Sequence, residues 1–347
     1  MKPPIFIIGS ERSGSNLLRL ILNSHSNIIV PHPPHIFKYF KPLEKYYGNL
    51  TRQIPMKRLI KDIIYLIDTH IYPWEIKINP ELLYKQSYPR NLAGVFFGIY
   101  DQYLLFSKKK RWACKSTFMI HYANIVLDHY PLAKFIWLVR DPRDVAASSR
   151  LSIFNPFHPY LTALLWRNQQ LEGFDLIKSI SEDNIEIFKY EDLIEEPRKI
   201  ISKICDFINE KFEPQMLEFY KTHAAQKSSF LSTSWQNTTS PIISNNKNKY
   251  KKLLTKNEIY IVERITYDLM YELGYKPKNV SFRKKSILFF IKKIYYKILD
   301  KIWFIKVEFF SLLKDNNYFL RLRRAIFIKR LSLSLPLIYY LKMAIKK

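Results

Sequence analysis

The chain opens on a block pattern: a short apolar run, a polar turn, then apolar residues at helical spacing. Ile5, Phe6, Ile7 and Ile8 form the run, residues 9–16 the turn, and Leu17, Leu18, Ile21 and Leu22 the helical face. Short continuous apolar runs read as strands buried on both faces, and a 3.6-residue spacing reads as an amphipathic helix. The pattern recurs along the chain. Trp112-Ala113-Cys114-Lys115-Ser116 predicts a strand ending in a polar turn, with helical spacing over 119–129. Lys134-Phe135-Ile136-Trp137-Leu138-Val139 predicts another, broken by Arg140-Asp141-Pro142-Arg143, with Asp144 able to cap the helix behind it. Ile185 to Phe188 predicts one more, followed by helical segments at 196–209 and 213–222. Residues 31–110 read as helices punctuated by prolines, and 228–252 as a polar loop.

Strands alternating with helices predict an α/β fold around a parallel sheet. Ligands in such sheets bind off the carboxyl ends of the strands. The turns at 9–16, 115–117 and 140–144 are therefore expected at one rim.

The first of these turns carries the most chemistry. Gly9-x-x-x-x-Gly14 has the spacing of a phosphate-binding P-loop, where backbone N–H groups converge on an anion at a helix N-terminus. A P-loop NTPase follows the second glycine with Lys and then Ser or Thr for Mg²⁺. Here those places hold Ser15 and Asn16, and Arg12 sits inside the loop. The turn reads as one that holds phosphate without a metal. A nucleotide-dependent kinase with a degenerate P-loop is the alternative, and the two replaced residues argue against it.

Composition narrows the picture further. Hydrophobic residues make up 48% of 347 positions, enough for a packed core. Two cysteines, Cys114 and Cys205, fit neither a disulfide framework nor a metal site and read as core residues in a reducing compartment. No signal-peptide pattern precedes the first strand, and no uninterrupted apolar run of about 18 residues predicts a membrane span. A cytoplasmic protein, peripheral at most to the inner membrane face, is the expectation. The net charge of +26 is uneven: residues 281–347 hold 17 Lys/Arg against Asp300, Glu308 and Asp315. Such charge attracts anions generally. No nucleic-acid-binding module accompanies it, so nucleic acid is not an expected partner.

Ile8-Gly9-Ser10-Glu11-Arg12-Ser13-Gly14-Ser15-Asn16-Leu17-Leu18 and Leu138-Val139-Arg140-Asp141-Pro142-Arg143-Asp144-Val145-Ala146-Ala147-Ser148-Ser149 together resemble the two nucleotide signatures of PAPS-dependent sulfotransferases. PAPS is 3′-phosphoadenosine 5′-phosphosulfate. The resemblance extends to Trp112–Thr117, to Leu164-Leu165-Trp166-Arg167-Asn168 and to Lys189–Pro197, and covers roughly residues 3–277. It implies a P-loop-like three-layer fold with a central parallel sheet. It also implies transfer of a sulfuryl group from PAPS, as co-substrate, to a hydroxyl or amine by in-line displacement without a metal.

The resemblance assigns Arg12, Ser13, Gly14, Ser15 and Asn16 to the 5′-phosphosulfate, and Arg140 and Ser148 to the 3′-phosphate. Glu11, Ser15 and Asn16 depart from its familiar Pro-Arg-Ser-Gly-Thr-Thr loop. Lys115 falls where the family places a catalytic lysine, and a cation there favours the charge that develops on the leaving phosphate. A general base is expected shortly after the first helix, where His32 and, second by position, His35 are the candidates. Lys249, in the polar loop, is the counterpart of a late basic segment over the nucleotide. Trp166, Tyr190 and Glu191 read as fold-stabilising residues.

Residues 1–280 are thus expected to form the sulfotransferase domain and 281–347 a basic helical extension. Apolar and basic residues alternate through Ile287 to Lys297 and Trp303 to Lys306, a pattern suited to an anionic membrane surface, to a partner or to packing on the core. A catalytically inactive, membrane-associated binding protein is the reading from another class. The acceptor stays open among saccharides, lipids and other molecules.

Overall fold

The computed structural model describes residues 2–152, 156–231, 233–278, 287–315 and 317–345. Five strands form one sheet: β1 (Ile5–Gly9), β2 (Ile28–Ile29), β3 (Arg111–Lys115), β4 (Lys134–Val139) and β5 (Ile185–Lys189), in the order β2-β3-β1-β4-β5. β2 runs parallel to β3 with Ile28 opposite Arg111, and β4 parallel to β5 with Val139 opposite Lys189. The expected α/β class and parallel sheet are present, and four of the strands lie where their apolar runs predict them. The two-residue β2 was not predicted, because two isoleucines carry no periodicity.

The chain divides into two compact units. The first comprises residues 1–6, 25–133 and 316–347, and the second 7–24 and 134–315.

In the first unit the helix Leu92–Ser107 is apolar on nearly every side and almost wholly buried, as a central helix must be. Its start is capped by Asn91, whose side chain accepts from the Gly94 N–H. Phe96, Phe97 and Tyr100 on this helix pack against Trp112 of β3, with Phe6 edge-on to the same indole at 5.6 Å. The helix Tyr318–Ile345 joins this unit through Phe327 on Tyr65 and through Tyr339 and Tyr340 on Tyr46.

In the second unit, β1 leads through its turn into the helix Ser15–Asn23. Behind β4 the helix Pro142–Arg150 begins, capped by Asp141, which accepts from the Arg143 N–H at 2.9 Å. Asp144 does not cap it. Its carboxylate instead accepts the N–H groups of Asn248 at 2.6 Å and Tyr250 at 3.0 Å, tying the polar loop down. Asp141 already satisfies the helix start, which leaves the Asp144 carboxylate for the loop amides. Helices Pro159–Ser179 and Lys256–Glu272 bury Ala163, Val262 and Ile265 together, and Tyr296 of the helix Ile287–Lys314 covers that cluster.

Three other expectations need correction. Residues 119–129 form a 3₁₀ turn, Thr117–Tyr122, and a short helix, Ala123–Leu127, and 213–222 is a 3₁₀ segment, Pro214–Lys221. The polar loop contains the 3₁₀ segment Thr233–Thr239 and a helical turn, Tyr250–Leu253. The expected boundary at 280/281 lies outside the described residues.

Candidate active site

The turn after β1 is shaped by three residues in left-handed or mirror-β backbone: Gly9 at φ 131°, Arg12 at φ 67° and Gly14 at φ 88°. At Gly9 a Cβ would lie 2.3 Å from the Leu138 carbonyl oxygen, and at Gly14 one would lie 2.2 Å from the Tyr190 ring. Both positions therefore require glycine for close approach as well as for φ. The Ser10 and Ser13 hydroxyls lie 2.5 Å apart. Gly14 opens the helix Ser15–Asn23, and no side chain caps that helix start. Its first amides and the positive end of its dipole point into the turn.

Arg12 and Arg140 meet over this turn. Arg12 Nε donates to Ser148 Oγ at 3.1 Å, joining the first signature to the second. Arg140 Nη1 donates to the Arg12 carbonyl at 3.0 Å and Nη2 to the Asn246 carbonyl at 3.2 Å. The Arg140 guanidinium lies 4.3 Å from the centre of the Tyr190 ring, and Asn246 Nδ2 donates to the Tyr190 hydroxyl at 2.6 Å. Trp166 supports the strand end from below by donating to the Arg140 carbonyl at 3.1 Å.

The electrostatics of this cradle are those of a site awaiting negative charge. Burial first, then the neighbouring Arg140, pull the Arg12 guanidinium down to about 10, with Glu11 partly opposing them. Arg12 therefore remains cationic at neutral pH. Arg140 Nε is buried with no hydrogen-bond partner among the described residues, and so is Asn16 Nδ2. Arg19 holds the other end of that amide, donating to Asn16 Oδ1 at 2.9 Å. Buried donors left unsatisfied are rare and costly. The oxygens of a nucleotide with phosphates at two positions would supply acceptors for each, so the residues present fit the nucleotide that the resemblance implies.

Lys249 stands exposed just before the turn Tyr250–Leu253. What its loop brings to the cradle is backbone and amide: the Asn246 carbonyl and side chain. Lys247 is ion-paired with Glu195. Glu191 accepts from the Asp141 N–H and from the Tyr275 hydroxyl, a structural role that matches its reading from the sequence.

The first unit carries the candidate base residues and Lys115. His32 is only 5% exposed, stacked on Tyr72 with ring centres 5.1 Å apart, and its carbonyl accepts from the Trp74 indole at 2.8 Å. His35 is partly exposed and shares a 3.0 Å hydrogen bond between Nδ1 and Ser116 Oγ, one residue beyond Lys115. Its ring packs edge-on to Phe118 at 5.7 Å. Burial, then Lys115, Lys38, Arg324 and His70 in that order, push His35 well below the usual imidazole range. His35 is therefore neutral at pH 7. His70 is also pushed well below it, by burial first and then by Arg324.

Sequence reasoning passed over Lys38 and Arg324, and it took Tyr190 for scaffold alone. Only the run Arg321, Arg323, Arg324 hinted at the second of these, and it reads as surface charge. In the second unit a cavity of about 360 Å³ is lined by His158, Thr255, Glu258, Tyr295, Tyr296 and Leu299, none of them a candidate from the sequence.

A profile of the sulfotransferase family matches residues 3–214, and one of the sulfotransferase domain matches residues 165–274. The chain belongs to the sulfotransferase family. Among solved structures, it is similar to the sulfotransferase domain from the curacin biosynthetic pathway. That match has a TM-score of 0.57 and 20% identity, and covers 80% of this chain and 99% of that one. It is also similar to the sulfotransferase domain from the Synechococcus PCC 7002 olefin synthase, with a TM-score of 0.50 and 25% identity, covering 77% and 96%. A curated relative, an uncharacterized protein of Aquifex aeolicus (strain VF5), is 27% identical over 232 residues, 64% of this chain. The chain matches about a quarter, 27%, of the length of that relative.

Among the described residues no helix is long and apolar enough to cross a membrane, and no group of three or more His, Cys, Asp or Glu is placed to hold a metal.

Proposed function

We propose that this chain transfers a sulfuryl group from PAPS to a hydroxyl or amine of an acceptor. The observation that carries the reading is the pairing of Arg12 with Ser148 and of Arg140 with the Arg12 carbonyl, which joins the two signatures around unsatisfied buried donors. PAPS supplies an activated sulfuryl group whose leaving phosphate takes up the negative charge of the displacement. In this reading Ser13, Gly14, Ser15 and Asn16 offer backbone and side-chain donors to the 5′ end, with Arg12 beside them. Arg140 and Ser148 hold the 3′-phosphate, where a planar fork beside a hydroxyl suits a dianion. Lys115 supplies positive charge for the departing oxygen. His35 is the better base of the two candidates: it is partly exposed, neutral at pH 7 and oriented by Ser116, whereas His32 is buried against Tyr72. Residues 1–280 carry the transfer, and the helices Ile287–Lys314 and Tyr318–Ile345 belong to the basic extension beyond them.

Calorimetry on the full chain tests this reading. Adenosine 3′,5′-bisphosphate should bind at least about tenfold more tightly than ATP with Mg²⁺. The reverse order would support the kinase alternative and overturn the proposal.

A second reading concerns the extension. On the helix Ile287–Lys314, Ile294, Ile298, Ile302, Ile305 and Phe309 are all exposed at helical spacing, beside exposed Lys297, Lys301 and Lys306. We propose that this stripe lies on an anionic membrane surface, apolar side chains inward and lysines at the headgroups. Full-length protein should float with phosphatidylglycerol vesicles, and Ile302→Glu/Ile305→Glu should not. Equal flotation of the two proteins would remove the helix from membrane binding.

A further inference from the structure

Arg324 belongs to the helix Tyr318–Ile345, far along the chain from either signature, and is 9% exposed. Its Nη2 donates to the Pro34 carbonyl at 2.7 Å, and its guanidinium lies 5.7 Å from the Tyr39 ring centre. Its Nη1 is buried with no hydrogen-bond partner among the described residues. A guanidinium that deep is ordinarily held by a carboxylate, because an uncompensated charge in a low-dielectric setting is expensive. The partners of Arg324 are instead a carbonyl and a phenol ring.

Its neighbours deepen the imbalance. Arg324 and Lys115 both act on His70, and Lys115, Lys38 and Arg324 all act on His35, each disfavouring added positive charge. The Lys38 ammonium sits 3.9 Å over the Phe118 ring, and Phe118 packs against His35. Residues 35, 38, 70, 115 and 324 thus converge as one basic cluster beside the candidate base. The sulfuryl-transfer reading gives a task to Lys115 and none to Lys38 or Arg324.

We infer that Arg324 and Lys38 bind a fixed negative charge on the acceptor, so that the molecule sulfonated is itself acidic and carries a phosphate or carboxylate. This inference rests on the transfer reading of the same site. Pro34 and Tyr39 fix the guanidinium and leave the Nη1 edge of its fork for an oxyanion, while Lys38 adds a mobile point charge. Phe118 offers an apolar wall to the acceptor's carbon frame. An anion here also offsets the field that keeps His35 from taking up a proton, so the arrival of substrate would make the imidazole a stronger base.

The test uses the full chain saturated with adenosine 3′,5′-bisphosphate and titrated with inorganic phosphate in a calorimeter. Wild type should bind phosphate. Arg324→Gln should bind it roughly tenfold more weakly or worse, and Lys38→Ala more weakly by a smaller factor, with bisphosphate affinity unchanged in both. Phosphate binding absent from wild type, or equal in all three proteins, overturns the inference while leaving the transfer reading intact. Failure of wild type to bind the bisphosphate overturns the transfer reading instead. If Arg324→Gln loses the bisphosphate as well, it has not folded correctly, and Lys38→Ala, at a half-exposed position, then decides. The same proteins titrated with phosphatidic acid vesicles distinguish a lipid headgroup, bound more weakly by Arg324→Gln, from a soluble acceptor, for which only inorganic phosphate distinguishes the proteins.

Discussion

The cradle around Arg12 and Arg140 and the cluster around His35 are both basic, and they are built in opposite ways. In the cradle, Arg140 is held by the backbone carbonyls of Arg12 and Asn246 and Arg12 by the Ser148 hydroxyl, and glycines permit the close approach, so its geometry rests on two strand-turn-helix segments that each present an arginine. In the cluster, short pieces from residues 32–38, 70–74, 115–118 and 324 are brought together, and much of their mutual orientation comes from ring packing. A phosphate-sized ligand common to a family suits the first design. A site that must fit one particular acceptor suits the second, because each contributing piece can change without disturbing the others.

The largest expected effect breaks the cradle. Arg140→Ala should weaken binding of adenosine 3′,5′-bisphosphate roughly 10- to 100-fold, the loss of charge-assisted hydrogen bonds to a phosphate. Arg140→Lys should recover only part of this, since an ammonium cannot hold the Arg12 and Asn246 carbonyls with one fork. Calorimetry reads both, and an affinity unchanged in Arg140→Ala would show that the second signature does not hold the nucleotide.

A middle-sized effect belongs to the histidine cluster. His35 and His70 are pushed below the ordinary imidazole value, so near pH 6.5 the unfolded chain takes up protons that the folded chain refuses. Stability from this source is full above about pH 6.5 and declines as pH falls below it. Denaturant unfolding at pH 7.5 and 5.5 should show the decline, and His35→Gln/His70→Gln should flatten it. Equal slopes in the two proteins would show that these rings do not carry the dependence. Carboxylates held above their usual range, such as Glu191, act in the opposite sense at lower pH, which is why the comparison with the variant matters.

The smallest effect sharpens the boundary of the cradle. Lys249→Ala should change bisphosphate affinity by less than about twofold, because the side chain is exposed while its loop contributes through Asn246. Asn246→Ala should cost more than Lys249→Ala, and the reverse ranking would return the lysine to the site.

How much of this was legible beforehand follows from the same contrast. β1, its turn, β4 and Arg140 could be read directly, because an apolar run ending in glycine or arginine is a local statement about strand and anion. The role of Asp144 was misread, since capping is the local option and its partners Asn248 and Tyr250 lie a hundred residues on. In their proline-rich segment position alone ranked His32 ahead of His35, and only three-dimensional packing sets the ring on Tyr72 apart from the ring on Ser116. Arg324 was invisible for the plainest reason: a basic residue among other basic residues on a helix carries no sign that it will be buried.

Arg12 places two demands on one position. Its left-handed backbone would suit glycine, and a non-glycine residue there costs on the order of 1 kcal/mol or more. Its guanidinium is also desolvated beside another cation. Arg12→Gly would relieve both and remove the hydrogen bond to Ser148. Selection for heat resistance alone would therefore drift toward glycine here, and selection for turnover would pull back to arginine. In a pool of variants ranked by melting temperature, enrichment of glycine at this position would be a warning that function is being lost.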